Sequence, residues 1–397
     1  MRFPEFTEEW EAKKLGEIIV EGKLGGNYEN SESYKGFPVI KMGNLGRGEI
    51  VLDKIQYLSQ NEKYNEDDVL KAGDLLFNTR NTLELVGKVA IWRNELPFAL
   101  YNSNLMRIKV NNLLEPSNRF LNLYFNTNGA INQLRSFATG TTSVAAIYSR
   151  DLAAFTVIFP SVQEQIKIAS FLSLIDERIT TQNKIIENLK TQMLGFQEKI
   201  FRQKIKLKDN NGKSFPSWSF KKGGELFESI SNKNHYSDLP ILAITQDKGA
   251  VPRDLIDYQI TVTERSIESY KVVEIGDFII SLRSFQGGIE HSDYTGICSP
   301  AYIILRNKIE ITQHFYKYYF KTPDYIRLLN RKLEGIRDGK MISYSYFAEI
   351  ELPFPIIEEQ QKIASFLSKV DQKIHTEKAI LEWLENQKKY LLKQMFV

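Results

Sequence analysis

The chain has 397 residues, of which 42% are hydrophobic and 25% charged, a composition typical of a globular protein long enough for two domains. Its formal net charge of +3 is close to balance and neither demands nor forbids a polyanionic partner. The single cysteine, Cys298, excludes an internal disulfide, and the scattered histidines argue against a metal site. No stretch is apolar enough for a signal peptide or a membrane span, so we expect a cytoplasmic protein with no membrane partner.

The first predicted domain, residues 1–159, mixes short strands with later helices. Its strand candidates are rich in β-branched or aromatic residues and are bounded by Gly, Asp, Asn and Pro. The pair Gly73-Asp74 fits a tight turn that enters a strand. A helical pattern follows from Arg119 to Phe137, so the sequence predicts an α+β domain.

Residues 160–208 predict a first long helix. It begins after Pro160, and apolar residues recur from Ile168 to Ile200 at steps of four and three, with Gln182 as the polar member of this heptad seam. About 40 residues correspond to roughly 60 Å of helix. The basic run from Lys199 to Lys208 is typical of a solvated helix end, where cations face the negative end of the helix dipole.

The same order then returns. A second domain of the same kind is predicted over residues 209–354, with Gly276-Asp277 in place of the first Gly-Asp pair, and a second long helix over residues 355–397. This helix begins after Pro355, and Glu377 occupies the seam position of Gln182. A helix this long cannot bury an apolar stripe alone, so we expect the two helices to pair as an antiparallel coiled coil.

The repeat covers the whole chain. The heptapeptide KIASFLS occurs at Lys167–Ser173 and again at Lys362–Ser368, at a constant offset of 195 residues that holds from Phe159 to Ile179 without a gap. Weaker matches extend upstream to the openings Phe3-Pro4 and Phe215-Pro216. A period of this length indicates a tandem duplication of a domain plus its helix rather than a solenoid.

Two loops of each domain offer Arg or Lys together with amide and hydroxyl side chains, which are the groups that contact base edges and phosphates. Any one of them alone would most simply be a surface loop. Present twice in register with different residues, they favour one binding scaffold with two specificities. The DNA-binding candidates are Asn78, Arg80, Asn81, Thr141, Thr142, Ser143 and Tyr148 in the first domain, and Arg283, Ser284, Gln286, Arg337, Lys340, Ser343 and Tyr344 in the second.

Catalytic motifs are missing from the sequence. It has no phosphate-binding P-loop, no Asn/Asp-Pro-Pro-aromatic motif of an amino-methyltransferase and no Gly-x-Ser-x-Gly nucleophile elbow. The glycine-rich segment Gly43–Gly48 has the wrong spacing for a dinucleotide fingerprint and predicts a plain turn. We therefore expect a protein that is not itself an enzyme.

The ordered set of motifs resembles the specificity (S) subunit of Type I restriction-modification systems across nearly the whole chain. The resemblance rests on the P-x-x-x-E-Q-x-K-I-A-x-F-L helix starts at Pro160 and Pro355, the two Phe-Pro openings, the Gly-Asp strands and the two-part organisation. It implies two target recognition domains, each reading one half of a split, asymmetric DNA site, with the helices as the spacer between them.

The resemblance also implies partners. Two methyltransferase subunits would dock on the repeated helix starts, and restriction subunits would complete a nuclease. No cofactor is expected on this chain; S-adenosylmethionine would belong to the methyltransferase, and ATP and Mg²⁺ to the restriction subunit. The candidate docking residues are Gln165, Ile168, Phe171 and Leu172, and their equivalents Gln360, Ile363, Phe366 and Leu367.

Two other interpretations stay open at this point. One is a non-enzymatic coiled-coil scaffold with two protein-binding domains. The other is a free-standing nuclease or methyltransferase, which the missing motifs disfavour. Salt-sensitive binding to one bipartite DNA duplex would separate the scaffold from the DNA-recognition subunit.

Overall fold

The computed structural model describes residues 2–32, 36–110, 117–141, 143–235, 238–256, 267–331 and 342–396. The chain divides into two compact units. Unit 1 comprises Met1–Gln182 and Ile380–Val397, and unit 2 comprises Asn183–Ala379. Each unit therefore combines one of the predicted domains with a segment of both long helices.

In unit 1 most of the strands precede the two helices Asn118–Phe125 and Asn128–Phe137, and the longest helix also extends into unit 2. Its strands are β1 (Glu11–Lys14), β2 (Ile19–Leu24), β3 (Asn30–Ser31), β4 (Gly36–Ile40), β5 (Gln56–Ser59), β6 (Leu75–Asn78), β7 (Arg80–Asn81), β8 (Val89–Ile91), β9 (Leu100–Tyr101), β10 (Leu105–Val110), β11 (Thr139–Gly140), β12 (Ala145–Ala146) and β13 (Thr156–Phe159). Its helices are α1 (Leu15–Ile18), α2 (Asn118–Phe125), α3 (Asn128–Phe137), α4 (Ser149–Ala153) and α5 (Val162–Phe201), with short 3₁₀ turns at Met42–Asn44 and Glu66–Asp68.

Unit 2 repeats this order with fewer strands among its described residues. They are β14 (Ser219–Lys222), β15 (Phe227–Ile230), β16 (Leu242–Thr245), β17 (Gly249–Pro252), β18 (Lys271–Val273), β19 (Phe278–Ile280), β20 (Glu290–His291), β21 (Gly296–Cys298), β22 (Ile303–Asn307) and β23 (Glu351–Phe354). The helices are α6 (Gly223–Leu226), α7 (Ser284–Gly287), α8 (Gln313–Tyr319), α9 (Pro323–Asn330), α10 (Tyr344–Ala348) and α11 (Ile357–Met395), with a 3₁₀ turn at Arg253–Leu255.

The central sheets of the two units have the same topology. In unit 1 the strand order is β2-β10-β6-β8, and in unit 2 it is β15-β22-β19-β20, with all neighbours antiparallel. The opening strand of each unit pairs with the strand before its long helix, β1 with β13 and β14 with β23. The tandem duplication that the sequence predicts is thus present in the fold.

The Gly-Asp pairs form the tight turns that the sequence predicts. Gly73 and Gly276 have φ of +91° and +94°, a left-handed conformation that side chains with a Cβ rarely adopt. The following aspartate closes the turn in both units, because Asp74 accepts from the N–H of Lys71 at 2.9 Å and Asp277 from that of Glu274 at 2.8 Å.

Helix α2 is fixed to unit 1 through three asparagines, which we call the asparagine ladder. Asn118, Asn122 and Asn126 lie on one helix face at intervals of four residues, and each donates its side-chain amide to a main-chain carbonyl, at 2.8, 3.0 and 3.1 Å. The acceptors are the carbonyls of Gly73, Gly48 and Val89.

In unit 2 the equivalent positions, 195 residues later, are Gln313, Lys317 and Lys321. The two lysines pair with acids. Lys317 contacts Asp293 at 3.0 Å, and Lys321 contacts the buried Glu290 at 2.5 Å. The corresponding helix face is therefore uncharged in unit 1 and carries ion pairs in unit 2.

The long helices start where the sequence predicts, two residues after Pro160 and Pro355. In unit 1, the segments of α5 and α11 run past each other in opposite directions, since Lys388 contacts Asp176 at 2.6 Å while Gln182 and Ile380 line the same groove. In unit 2, Phe196 packs on Phe366 with ring centroids 5.2 Å apart.

Both long helices complete the cores of the units. The main core of unit 1 includes Phe77, Phe120 and Leu172 together with Leu391 of α11. In unit 2, Met193 and Ile200 of α5 join Ile363 and Leu367 of α11 in the same way. Because each large apolar side chain contributes about 1.5 to 3 kcal/mol when buried, the helices are integral to the units rather than appended to them.

Candidate nucleic-acid interface

The hairpin between β6 and β8 carries the first predicted DNA-binding residues. At its base the N–H of Asn78 donates to the carbonyl of Lys88 at 2.8 Å. Beyond this pair the chain forms β7, which pairs with β12 so that Arg80 lies opposite Ala146 and Asn81 opposite Ala145. The pairing brings the two predicted loops of the first domain together, although they are distant in the sequence.

The residues of this hairpin differ in accessibility. Arg80 is exposed and Asn81 is half-buried. Asn78 is fully buried, and its Oδ1 accepts from the N–H of Arg80 at 3.2 Å. The Asn78 side chain therefore shapes the turn that presents Arg80 and is not itself on the surface.

The second loop of unit 1 is a tight turn beside β7. Gly140 has φ of +123°, and the hydroxyl of Thr141 accepts from the N–H of Val144 at 3.2 Å and lies 3.1 Å from that of Ser143. Tyr148 follows the turn with 56% of its surface exposed. Thr141, Ser143 and Tyr148 thus lie at the surface near Arg80, whereas Thr142 lies outside the described residues.

A group of cations that the sequence analysis did not select lies next to this hairpin. We call Arg47, Lys88 and Arg135 the cationic cluster. Arg47 and Arg135 each donate a guanidinium N–H to the carbonyl of Glu84, both at 3.3 Å. Burial, together with the positive charge of Arg135, lowers the pKa of Arg47. Burial and the charge of Arg47 likewise lower the pKa of Lys88.

Arg47 belongs to the segment Gly43–Gly48, which the sequence predicts to be a plain turn. The turn is present, and Gly48 has φ of +92°. The charged side chain of Arg47 between Gly46 and Gly48 is the one feature of the sequence that could have indicated a binding function at this position. Lys88 and Arg135 gave no such signal, because only the fold brings them near Arg47.

In unit 2 the corresponding loop adopts a different conformation. After β19 the chain forms the short helix α7 instead of a strand, with Arg283 at its N-cap. Arg283 and Gln286 are exposed. Ser284 is buried, and its hydroxyl accepts from the N–H of Ser281 at 2.8 Å, so this side chain holds the loop from inside.

The late loop of unit 2 is described from residue 342 onward. Ser343 is exposed and caps α10 by accepting from the N–H of Tyr346 at 3.2 Å. Tyr344 is half-buried and donates its hydroxyl to the carbonyl of Phe227 at 2.9 Å. The other two predicted residues of this loop, Arg337 and Lys340, lie outside the described residues.

The helix starts, predicted to dock a partner, are mostly interior. The buried members are Gln165, Ile168, Leu172, Gln360, Ile363 and Leu367. Gln165 accepts from the N–H of Ser117 at 3.0 Å and donates to the carbonyl of Pro160 at 2.9 Å. These six side chains join each domain to its helix, and their role in docking a partner stays a prediction.

Phe171 and Phe366 are half-buried and remain accessible. Each lines an open groove beside its helix, of about 650 Å³ in unit 1 and about 470 Å³ in unit 2. The groove of unit 1 is bordered by apolar Leu174 and Ile380, whereas that of unit 2 is bordered by Lys362 and Lys369. Of the predicted docking residues, these two phenylalanines are the ones that a partner could reach.

Two further classes of site are absent from the described ranges. No group of three or more His, Cys, Asp or Glu side chains there could hold a metal ion. None of the helices in those ranges combines the length and the apolarity that a bilayer crossing requires.

Comparison with known proteins agrees with the internal repeat. The family model for the Type I restriction modification DNA specificity domain matches twice, at residues 7–191 and 216–386. The putative type I restriction enzyme MjaX specificity subunit of Methanocaldococcus jannaschii is 25% identical, with 98% of this chain and 93% of that protein covered. The MjaVIII specificity subunit of the same organism is 23% identical, over 97% of this chain and 91% of that protein.

A solved structure has the same fold. The crystal structure of a Type I restriction-modification S subunit from M. genitalium superposes with a TM-score of 0.57 at 17% identity, covering 100% of this chain and 97% of that one.

Proposed function

This chain belongs to the family of Type I restriction-modification DNA specificity subunits, and we propose that each of its units reads one half of a split, asymmetric DNA site. Members of this family are the non-catalytic, DNA-recognising subunits of restriction-modification complexes. One observation carries the proposal. In each unit an exposed arginine follows the equivalent strand of the central sheet, Arg80 after β6 and Arg283 after β19. The segments that carry the two arginines differ in sequence and conformation. A shared scaffold with divergent loops suits two different half-sites.

The side chains beside each arginine supply the remaining hydrogen-bonding groups. In unit 1 these are Asn81, Thr141, Ser143 and Tyr148, and in unit 2 it is Gln286, while Ser343 and Tyr344 belong to the late loop of unit 2. An arginine can contact guanine O6 and N7 with two hydrogen bonds, and amide side chains can do the same with adenine, so these loops can distinguish base pairs in the major groove. The buried Asn78 and Ser284 support the loops from inside.

For partners, we propose two methyltransferase subunits per chain, one for each repeat, and restriction subunits that join them. The accessible phenylalanines Phe171 and Phe366, each beside a groove, support one docking position in each unit. S-adenosylmethionine would be held by the methyltransferase, and ATP and Mg²⁺ by the restriction subunit. The two long helices, which contribute to both units, would set the spacing between the half-sites.

Mapping of methylated adenines in DNA exposed to this chain and its methyltransferase partner tests the proposal. We expect methylation within one bipartite, asymmetric sequence that has a fixed gap. A continuous or palindromic site, or methylation by the purified chain alone, would contradict it. Native mass spectrometry tests the stoichiometry, and a complex that ends at one methyltransferase per chain would contradict two docking positions.

A further inference from the structure

The cationic cluster of unit 1 places three positive charges close together. Because the guanidinium nitrogens of Arg47 and Arg135 lie 3.3 Å from the same carbonyl oxygen, they are at most twice that distance apart. Lys88 is half-buried, and its backbone lies beside that of Arg47, because the N–H of Gly48 donates to the carbonyl of Val89 at 2.8 Å. At such separations like charges repel each other appreciably, and partial burial strengthens the repulsion.

No acidic side chain balances this charge in the part of the chain that the structure describes. Arg47, Lys88 and Arg135 form no ion pair there, and the charged neighbours that affect the pKa of Arg47 and of Lys88 are other cations. The arginines do hold the carbonyl of Glu84, which fixes the hairpin turn. That role does not explain Lys88, whose ammonium group contributes nothing to the clamp. A structure that holds three unneutralised cations together is suited to binding an anion.

We propose that Arg47, Lys88 and Arg135 bind phosphates of the DNA backbone adjacent to the bases read by Arg80, and that unit 2 has no equivalent cluster among its described residues. This inference rests on the proposed function. The hairpin links the two roles, since Lys88 pairs through its backbone with Asn78, two residues before Arg80. Phosphate contacts fix position and register on the duplex, and the neighbouring side chain then reads the base.

The loop of Arg283 in unit 2 is held in a different way. There Lys321 donates to the carbonyls of Gln246 and Gly287, at 3.2 and 3.0 Å, and its charge is balanced by Glu290. In unit 2, therefore, one cation with an acidic partner stabilises the loop. The equivalent loop of unit 1 is flanked by the three cations of the cationic cluster, which have no acidic partner among the described residues. The affinity of unit 1 for its half-site should therefore depend more strongly on salt than that of unit 2.

The test measures affinity as a function of salt for the assembled methyltransferase complex on its cognate duplex, from about 50 to 300 mM. Each phosphate contact contributes roughly 0.9 to the slope of log K against log salt. The triple variant Arg47→Gln/Lys88→Gln/Arg135→Gln should lose roughly two to three units of slope, and the single variant Lys88→Gln, which leaves the two hydrogen bonds to the Glu84 carbonyl intact, should lose about one unit. The variant Arg47→Lys should retain most of the slope, because the charge is kept.

Lys190→Gln is the matched control. Lys190 is an exposed cation on α5 that pairs with Glu187 at 2.7 Å, so this variant changes the net charge but should leave the slope unaltered. A folded triple variant with the wild-type slope overturns the inference. So does a cluster that binds inorganic phosphate while the DNA slope stays the same. If no bipartite site is recognised at all, the proposed function fails; if the site is recognised with an unaltered slope, only the phosphate assignment fails.

Discussion

The side-chain oxygen of Gln165, in the first turn of α5, accepts a hydrogen bond from the backbone N–H of Ser117, the N-cap residue of α2. Gln360 does the same in unit 2, where it accepts from the N–H of Thr312, the N-cap residue of α8, at 2.9 Å. In both units the amide nitrogen of the glutamine donates to the carbonyl of the proline before the helix. This duplicated contact gives a structural reason for the repeated Glu-Gln helix start, independent of any partner.

Replacing Gln165 by Ala should destabilise unit 1 without a direct effect on partner binding. The change leaves a buried N–H and a carbonyl unpaired, at about 1 to 3 kcal/mol for each group. Chemical denaturation measures the loss, and Ser170→Ala, an exposed change in the first turns of the same helix, should stay within about 0.5 kcal/mol of the wild type. A Gln165→Ala protein of unchanged stability that no longer binds the methyltransferase would support the docking role.

Arg80 and Arg283 should each affect a single half-site. If each makes a two-hydrogen-bond contact with a base, its replacement by Ala should cost about 1 to 3 kcal/mol and relax only the half-site read by its own unit. Arg→Lys at the same positions separates base reading from charge, since Lys keeps the charge but lacks the planar fork. Binding to duplexes randomised in one half-site measures the effect. Folded Arg→Ala variants with full affinity and specificity would argue against base contacts by these residues.

Lengthening the two long helices together should widen the gap between the half-sites. Four residues inserted after Gln182 and four before Ile380, positions that line the same groove, would lengthen each helix by about 6 Å. With a rise of roughly 3.4 Å per base pair, the gap should grow by at most about two pairs, and such a four-residue insertion is absorbed by local unwinding. Methylation mapping reads the gap directly. An active double-insertion variant with the original gap would show that the helices do not set the spacing.

Glu290 should make the stability of unit 2 depend on pH. Burial, partly offset by Lys321, raises its pKa from the ordinary 4.5 to about 7. The folded state therefore keeps a proton that the unfolded state releases, so stability falls as the pH rises from about 4.5 to about 7, by at most about 3 kcal/mol from this group. The difference in unfolding free energy between the wild type and Glu290→Gln, followed from pH 4.5 to 8, should show this slope. A flat difference would indicate that Lys321 compensates fully for the burial of Glu290.

The sequence predicted those features that depend on regular spacing. The starts of α5 and α11, the Gly-Asp turns and the duplicated sheet follow from local patterns that repeat along the chain. The cationic cluster could not be predicted, because Arg47, Lys88 and Arg135 are brought together only by the folding of separate elements. The docking residues stay a prediction for a related reason: a repeated motif does not reveal whether its side chains face a partner or, as with Gln165, the backbone of the same unit.

The asparagine ladder has a consequence for how such a scaffold changes over time. Asn118, Asn122 and Asn126 hold α2 by main-chain carbonyls alone, and Gln165 likewise contacts an N–H and a carbonyl. Attachment through the backbone does not depend on which side chains the neighbouring strands and loops carry. Substitutions in the loop of Arg80 can therefore accumulate without compensating changes in the helix, so the loop can vary while the fold stays intact.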